Sequence, residues 1–160
     1  MRNTSVIVAT LLLSGISLMD AQTPARTVSQ AGQLSTVQGM IDKGQADRAL
    51  KDIQASLLRY NTTDLPTALW LSGKARLALA QNADAAAKGK LYLQAALDFM
   101  KVATFFPYAN EAPPASVEAG KALAAAGDKA SARVVLESTL MKFADSDVLP
   151  EARKALDKLK

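Results

Sequence analysis

The apolar positions of this chain recur at helical spacing in three segments. In each segment, four residues at i, i+4, i+8 and i+11 form one stripe of an α-helix, which opens with alanine and closes with an aromatic residue. The three stripes are Ala49, Ile53, Leu57 and Tyr60; Ala95, Phe99, Ala103 and Phe106; and Ala132, Leu136, Leu140 and Phe143. Because all four positions move together, the pattern predicts a repeated helical unit whose copies stack side by side.

Glycine, proline and short polar runs between the apolar stretches divide the chain into about seven helices. The predicted helices span about 30–42, 45–60, 65–81, 91–106, 115–126, 129–143 and 150–159. Asp64 and Asp128 are predicted N-caps, and Gly127 is predicted to end a helix in the left-handed conformation. Residues 82–90 are predicted to be an extended loop, or else a two-turn extension of the preceding helix, and residues 108–114 a linker.

Composition supports a single all-α domain and excludes several kinds of chemistry. The 160 residues are 49% hydrophobic, and much of that share is alanine, the strongest helix former. The chain has no histidine and no cysteine, which excludes zinc sites of the Cys/His kind, Ser-His-Asp and Cys-His catalysis, and disulfides. We therefore expect a protein that is not an enzyme and that uses no cofactor and no metal.

The N-terminus has the three-part pattern of a secretory signal peptide. Met1 and Arg2 supply positive charge, residues 6–19 are almost entirely apolar, and Ser17 or Ala21 fits the residue before cleavage. We expect residues 1–21 to be the signal peptide, 22–29 a disordered lead-in and 30–160 the helical domain of an exported bacterial protein, periplasmic or secreted. An uncleaved membrane anchor and a buried first helix are the alternatives, but the apolar run is shorter than the roughly 20 residues of a membrane span.

The formal net charge of +4 is compatible with a solvated surface or with attraction to an acidic envelope polymer or membrane surface. Lys and Arg are scattered among acidic residues and do not alternate with aromatic ones. That pattern argues against a nucleic-acid partner.

The third segment resembles a tetratricopeptide repeat (TPR). This repeat is a unit of about 34 residues that forms two helices and carries small residues at fixed places. Over residues 30–160 the chain is similar to TPR proteins of the bacterial envelope. The positions that carry the resemblance are Gly73, Ala95, Phe99, Gly120, Gly127 and Ala132. Three features depart from the family pattern: about ten extra residues in the second unit, Ala144 in place of proline, and Val37 in place of a small residue.

The resemblance implies a solenoid of antiparallel α-hairpins that acts as a protein–protein interaction or scaffold module. Gly73 and Ala95 would let two helix backbones approach closely, so Gly73→Leu is expected to clash and cost roughly 1–3 kcal/mol. A protein or peptide segment would bind in the concave groove. A self-associating structural component of the envelope and a binder of an acidic envelope polymer are the alternative functions.

The resemblance places Trp70, Lys74 and Lys121 at the groove as partner-binding candidates. Trp70 is alternatively a core residue between hairpins, and the two lysines are alternatively solvated. Gln38 occupies the corresponding place in the first unit, so the lysine, asparagine and arginine clamp of the chaperone-binding repeats is incomplete.

Charged residues near the C-terminus are predicted to have structural roles. Asp145, Asp147 and Glu151 lack the order of a calcium loop and are predicted to serve helix capping. The basic residues of the last helix suit the negative end of its dipole. They are Arg153, Lys154, Lys158 and Lys160.

Overall fold

The computed structural model describes residues 30–160. The predicted signal peptide (1–21) and lead-in (22–29) lie outside the described residues. Over residues 30–160 no helix combines the length and the apolar character needed to cross a bilayer.

Helices make up the described part of the chain, which contains no strand. In chain order they are α1 (Gln30–Asp42), α2 (Ala46–Ser56), α3 (Leu65–Gln81), α4 (Ala85–Phe105), α5 (Ala112–Ala125), α6 (Lys129–Lys142) and α7 (Leu149–Asp157). A 3₁₀ turn, Leu57–Arg59, continues α2. Each helix packs chiefly against the next one along the chain, and α1 with α3 and α5 with α7 also touch. The prediction of an all-α, repeat-like fold is confirmed.

Two turns between paired helices depend on glycine. Gly44, between α1 and α2, has φ +75°, and Gly127, between α5 and α6, has φ +93°. Other residues rarely adopt this left-handed conformation. Asp128 follows Gly127 and caps α6, since its carboxylate accepts a hydrogen bond from the backbone N–H of Ser131 at 2.9 Å. Both predictions for this turn are confirmed.

The predicted stripes lie in the core. The first two positions of each stripe are almost fully buried, with at most 1% of the side chain exposed. They are Ala49 and Ile53, Ala95 and Phe99, and Ala132 and Leu136. The later positions are largely half-buried. Each stripe therefore points one helix of a hairpin toward its neighbours.

The two glycines of the first helices admit a side chain from the second helix. A Cβ on Gly73 would lie 2.5 Å from the Phe99 ring, and one on Gly120 would lie 2.5 Å from Leu136 Cγ. The sequence predicts these glycines to be points where backbones meet. In the structure each is a notch, which we define as a position where the absent side chain leaves room for a bulky one.

The segment predicted as a loop is helical. The helix α4 begins at Ala85, so residues 85–90 form its first turns rather than a loop or an extension of α3. Asp84 starts it by accepting a hydrogen bond from the backbone N–H of Ala87 at 2.8 Å. The ten extra residues of the second unit therefore lengthen the α3–α4 hairpin.

Two further predictions at helix ends are wrong. Asp64 precedes α3, but its side chain caps nothing; Asn61 Oδ1 instead accepts from the backbone N–H groups of Thr63 and Asp64, at 2.9 and 2.8 Å. The linker is shorter than predicted because α5 begins at Ala112. Pro113 and Pro114 occupy the first turn of α5, where no backbone N–H is needed for an intrahelical hydrogen bond.

A buried polar cluster joins α3 to α4. Asp98, 6% exposed, accepts hydrogen bonds from Ser72 Oγ at 2.6 Å and Arg76 Nε at 2.8 Å. Arg76 also reaches Gln94 Oε1 at 3.0 Å. Within residues 30–160 no buried side-chain polar atom lacks a partner. The cluster is therefore satisfied internally, and it fixes the register of the hairpin.

Candidate functional site

Lys74 and Lys121 occupy equivalent places because each follows a notch glycine. Lys121 lies on α5 and pairs with Glu118 at 2.5 Å and with Glu151 of α7 at 2.9 Å. Burial lowers the pKa of the Lys121 ammonium, but the two carboxylates outweigh burial and hold that pKa above its ordinary value. Lys121 is therefore a charged link between α5 and α7.

Lys74 is half-buried on α3, and its ammonium makes no ion pair or hydrogen bond to the described residues. Three and seven residues further along, Leu77 and Gln81 lie on the same side of the helix. They line a narrow groove of about 220 Å³, and Glu118 and Lys121 form its α5 wall. Of the two predicted lysines, the structure thus places Lys121 in the groove lining, whereas Lys74 lies on α3 outside that lining.

Trp70 lies deeper than a free groove anchor would. Its ring is 5.1 Å from that of Phe99, centroid to centroid, with 56° between the planes. It packs against both of the larger buried clusters and stays partly exposed. The ring therefore contributes to the core, and its role as a partner anchor stays a prediction.

A larger opening lies on the other side of Lys121. The C-terminal cleft, as we name it, is enclosed by α5, α6 and α7 with the residues just after α7, and has a volume of about 680 Å³. Its apolar lining, which we call the floor, comprises Ala124, Leu136, Pro150, Ala155 and Leu159. Its charged lining is Lys121, Lys129, Glu151, Lys154 and Lys158.

The charges of the C-terminal cleft are unbalanced. Glu151 is already paired with Lys121. Lys129, Lys154 and Lys158 are exposed, and their ammonium groups pair with nothing else that the structure describes. The sequence led us to interpret Lys154 and Lys158 only as partners of the helix dipole. Their four-residue spacing, which puts both on one side of α7, was the available signal.

The acidic residues near α7 do not act as predicted. The N-cap position is Val148, because the helix begins at Leu149, and no side chain caps it. Asp147 instead accepts a long hydrogen bond, 3.4 Å, from Ser146 Oγ. Glu151 lies in the first turn and binds Lys121. Among residues 30–160, no three acidic side chains come together as a metal would require.

Two openings therefore share one lysine, Lys121. A groove and a cleft flank Lys121, both with lysine on their walls and apolar side chains beneath. No protein-family model matches the chain, and a search of curated proteins likewise finds no match.

Proposed function

We propose that this chain is a non-catalytic, TPR-like interaction module that binds a segment of a partner protein along the side formed by α3, α5 and α7. The observation that carries the proposal is the pair of openings on either side of Lys121. Lys121 of α5 lines both of them; α3 and α4 supply the other walls of the groove, and α6 and α7 supply those of the C-terminal cleft. Stacked helical units commonly use such extended surfaces for binding.

The N-terminal residue pattern supports placing this function outside the cytoplasm. Positive charge, an apolar run and small residues near Ser17 and Ala21 are typical of a secretory signal. The partner would then be a protein of the bacterial envelope or its surroundings.

Self-association is a second candidate, because α4 and α6 expose large apolar side chains. Leu97 is 52% exposed, Val134 65% and Met141 75%. Exposed apolar side chains that cluster favour protein contacts. None of these three side chains lines either of the two openings that Lys121 lines.

Affinity capture with the full chain as bait tests the proposal. We expect Lys74→Glu with Lys121→Gln to reduce recovery of the natural partner roughly ten-fold or more, as desolvated charge contacts at an interface allow. The matched control, Lys43→Glu with Arg48→Gln, makes the same charge change at exposed residues outside both openings. Proteins are identified by mass spectrometry, and circular dichroism checks the fold of each variant.

If the variant with Lys74→Glu and Lys121→Gln recovers as much partner as wild type does, the proposed binding side is wrong. Recovery of only further copies of the chain, with an oligomer seen by light scattering, would favour self-association instead.

A further inference from the structure

We propose that the C-terminal cleft binds an acidic peptide segment that carries at least one apolar side chain. This deepens the interaction function proposed above by naming the chemistry of the partner at one of the two openings, and it rests on that function.

The floor of the cleft accounts for the apolar side chain. Ala124 and Ala155 are small, so they leave space between α5 and α7, while Leu136 and Leu159 close the bottom. Both leucines are buried, at 0% and 8% exposure, so the apolar surface that a ligand can contact comes mainly from Ala124, Ala155 and Pro150. A volume of about 680 Å³ lies within the range of ligand-binding pockets and admits a few side chains.

The rim accounts for the acidic residues. Lys129 stands at the start of α6, while Lys154 and Lys158 project from one side of α7 and its end. None of the three ammonium groups pairs with a carboxylate in residues 30–160. Like charges around one opening repel one another, and an incoming carboxylate relieves that repulsion.

The same features disfavour other anions. A nucleic acid would need aromatic side chains for stacking, and the cleft lining has none. A bilayer surface is too broad to reach the recessed floor, and a polyanionic sugar chain would leave that floor uncovered. A peptide supplies carboxylates and an apolar side chain on one short segment.

Glu151 makes the proposal more specific. It lines the cleft and holds Lys121 at 2.9 Å, so a peptide carboxylate must compete with it for that ammonium. Removing the charge of Glu151 should therefore strengthen binding, whereas removing lysines should weaken it.

Fluorescence anisotropy with the full chain tests this with the labelled probe peptide Asp-Glu-Leu-Asp-Glu-Leu. We expect Lys154→Glu with Lys158→Glu to weaken binding roughly ten-fold, since each exposed ion pair contributes modestly and charge reversal also adds repulsion. Glu151→Gln should tighten it roughly two- to five-fold by the same reasoning. The control Lys43→Glu with Arg48→Glu, of equal charge change, should stay within about two-fold.

Two probes separate the ligand classes. Replacing both leucines of the peptide by serine should weaken binding, because only the floor senses that change. Equal binding of the serine peptide, an equal loss in the control variant, or preferential binding of the cleft by phosphatidylglycerol vesicles or polyglutamate would overturn the proposal.

The two proposals fail separately. If capture of a natural partner depends on Lys74 and Lys121 but not on Lys154 and Lys158, the module stands and the cleft assignment falls. If the probe peptide binds the cleft but no partner depends on Lys74 and Lys121, the cleft assignment is supported and the proposed binding side is not.

Discussion

Two glycines, Gly73 and Gly120, set the spacing of their hairpins by leaving room for one bulky side chain each. The first hairpin differs: Val37 stands in the register of these glycines, and Ile53, smaller than Phe99 and isomeric with Leu136, stands in the register of the two bulky side chains. Relative to the Gly73–Phe99 pair, the first helix therefore carries a larger residue and the second helix a smaller one. Cores tolerate such volume-conserving exchanges better than changes on one side alone.

Gly73→Ala is expected to destabilise the protein by roughly 1–3 kcal/mol, because the Phe99 ring is fully buried and cannot move away from the new methyl group. Urea unfolding followed by circular dichroism measures the change. Gly89→Ala is the matched control: Gly89 is also helical, but a Cβ there would meet nothing within 4 Å, so this change should stabilise by about 0.4–1 kcal/mol.

A double-mutant cycle shows whether the Phe99 ring causes the destabilisation by Gly73→Ala. Phe99→Leu shortens the side chain that fills the notch, so it should cost less in the Gly73→Ala background than alone. Additive effects of the two changes would contradict the notch as the reason for the glycine.

At the scale of helices, the sequence predicted the elements well where apolar periodicity was strong and poorly where it was silent. The bounds of α6, predicted as 129–143 on a clear apolar stripe, were correct to within one residue. The first turns of α4 were missed because Ala85 and Ala86 are exposed and carry no apolar stripe. Their helix signal was local instead: an aspartate N-cap followed by three alanines, the best intrinsic helix formers.

The start of α6 depends on Asp128 in a way that can be titrated. The backbone N–H of Ser131 donates to the carboxylate, and this hydrogen bond holds the pKa of Asp128 below its ordinary value. The ionised form is therefore favoured by folding. Its stabilisation is complete above the unfolded-state pKa of about 3.8 and is lost as the pH falls through the lower folded-state pKa.

We expect Asp128→Ala to lower the melting temperature at neutral pH, whereas Asp128→Asn should retain much of the cap because asparagine also accepts this hydrogen bond. Thermal melts across acidic pH, followed by circular dichroism, test the charge. The stability advantage of wild type over Asp128→Asn should shrink as the pH falls below the ordinary carboxylate range. An advantage that stays constant down to the lowest pH would show that the charge contributes nothing.

For the whole molecule, the candidate sites differ in whether the sequence alone could predict them. Lys74 and Lys121 were predicted from the positions that follow two glycines, a local pattern repeated in the chain. The C-terminal cleft was not, because its lysines come from α5, α6 and α7 and meet only once those helices pack. The sequence left Trp70 as either a groove residue or a core residue, and only the packed structure shows its ring against that of Phe99.

The core itself is divided, and Trp70 lies where its larger parts meet. One buried cluster joins α1, α2 and α3, and a larger one runs from α3 to α7. Trp70 packs against both. Repeat proteins whose units contact mainly their neighbours open in parts rather than all at once.

We therefore expect Ile53→Ala, at a cost of about 2–5 kcal/mol, to speed amide hydrogen exchange in α1 and α2 while α5 and α6 stay protected. Phe99→Ala, at about 3–5 kcal/mol, should speed exchange from α3 through α6, because the ring belongs to the larger cluster. Exchange read by mass spectrometry separates the two patterns, and Leu58→Ala is the control, since that side chain is fully exposed.

Trp70, the single tryptophan, should change its fluorescence in both core variants because its ring touches both clusters. Uniform acceleration by Ile53→Ala would mean instead that the stack opens as one cooperative unit, with Trp70 coupling its ends.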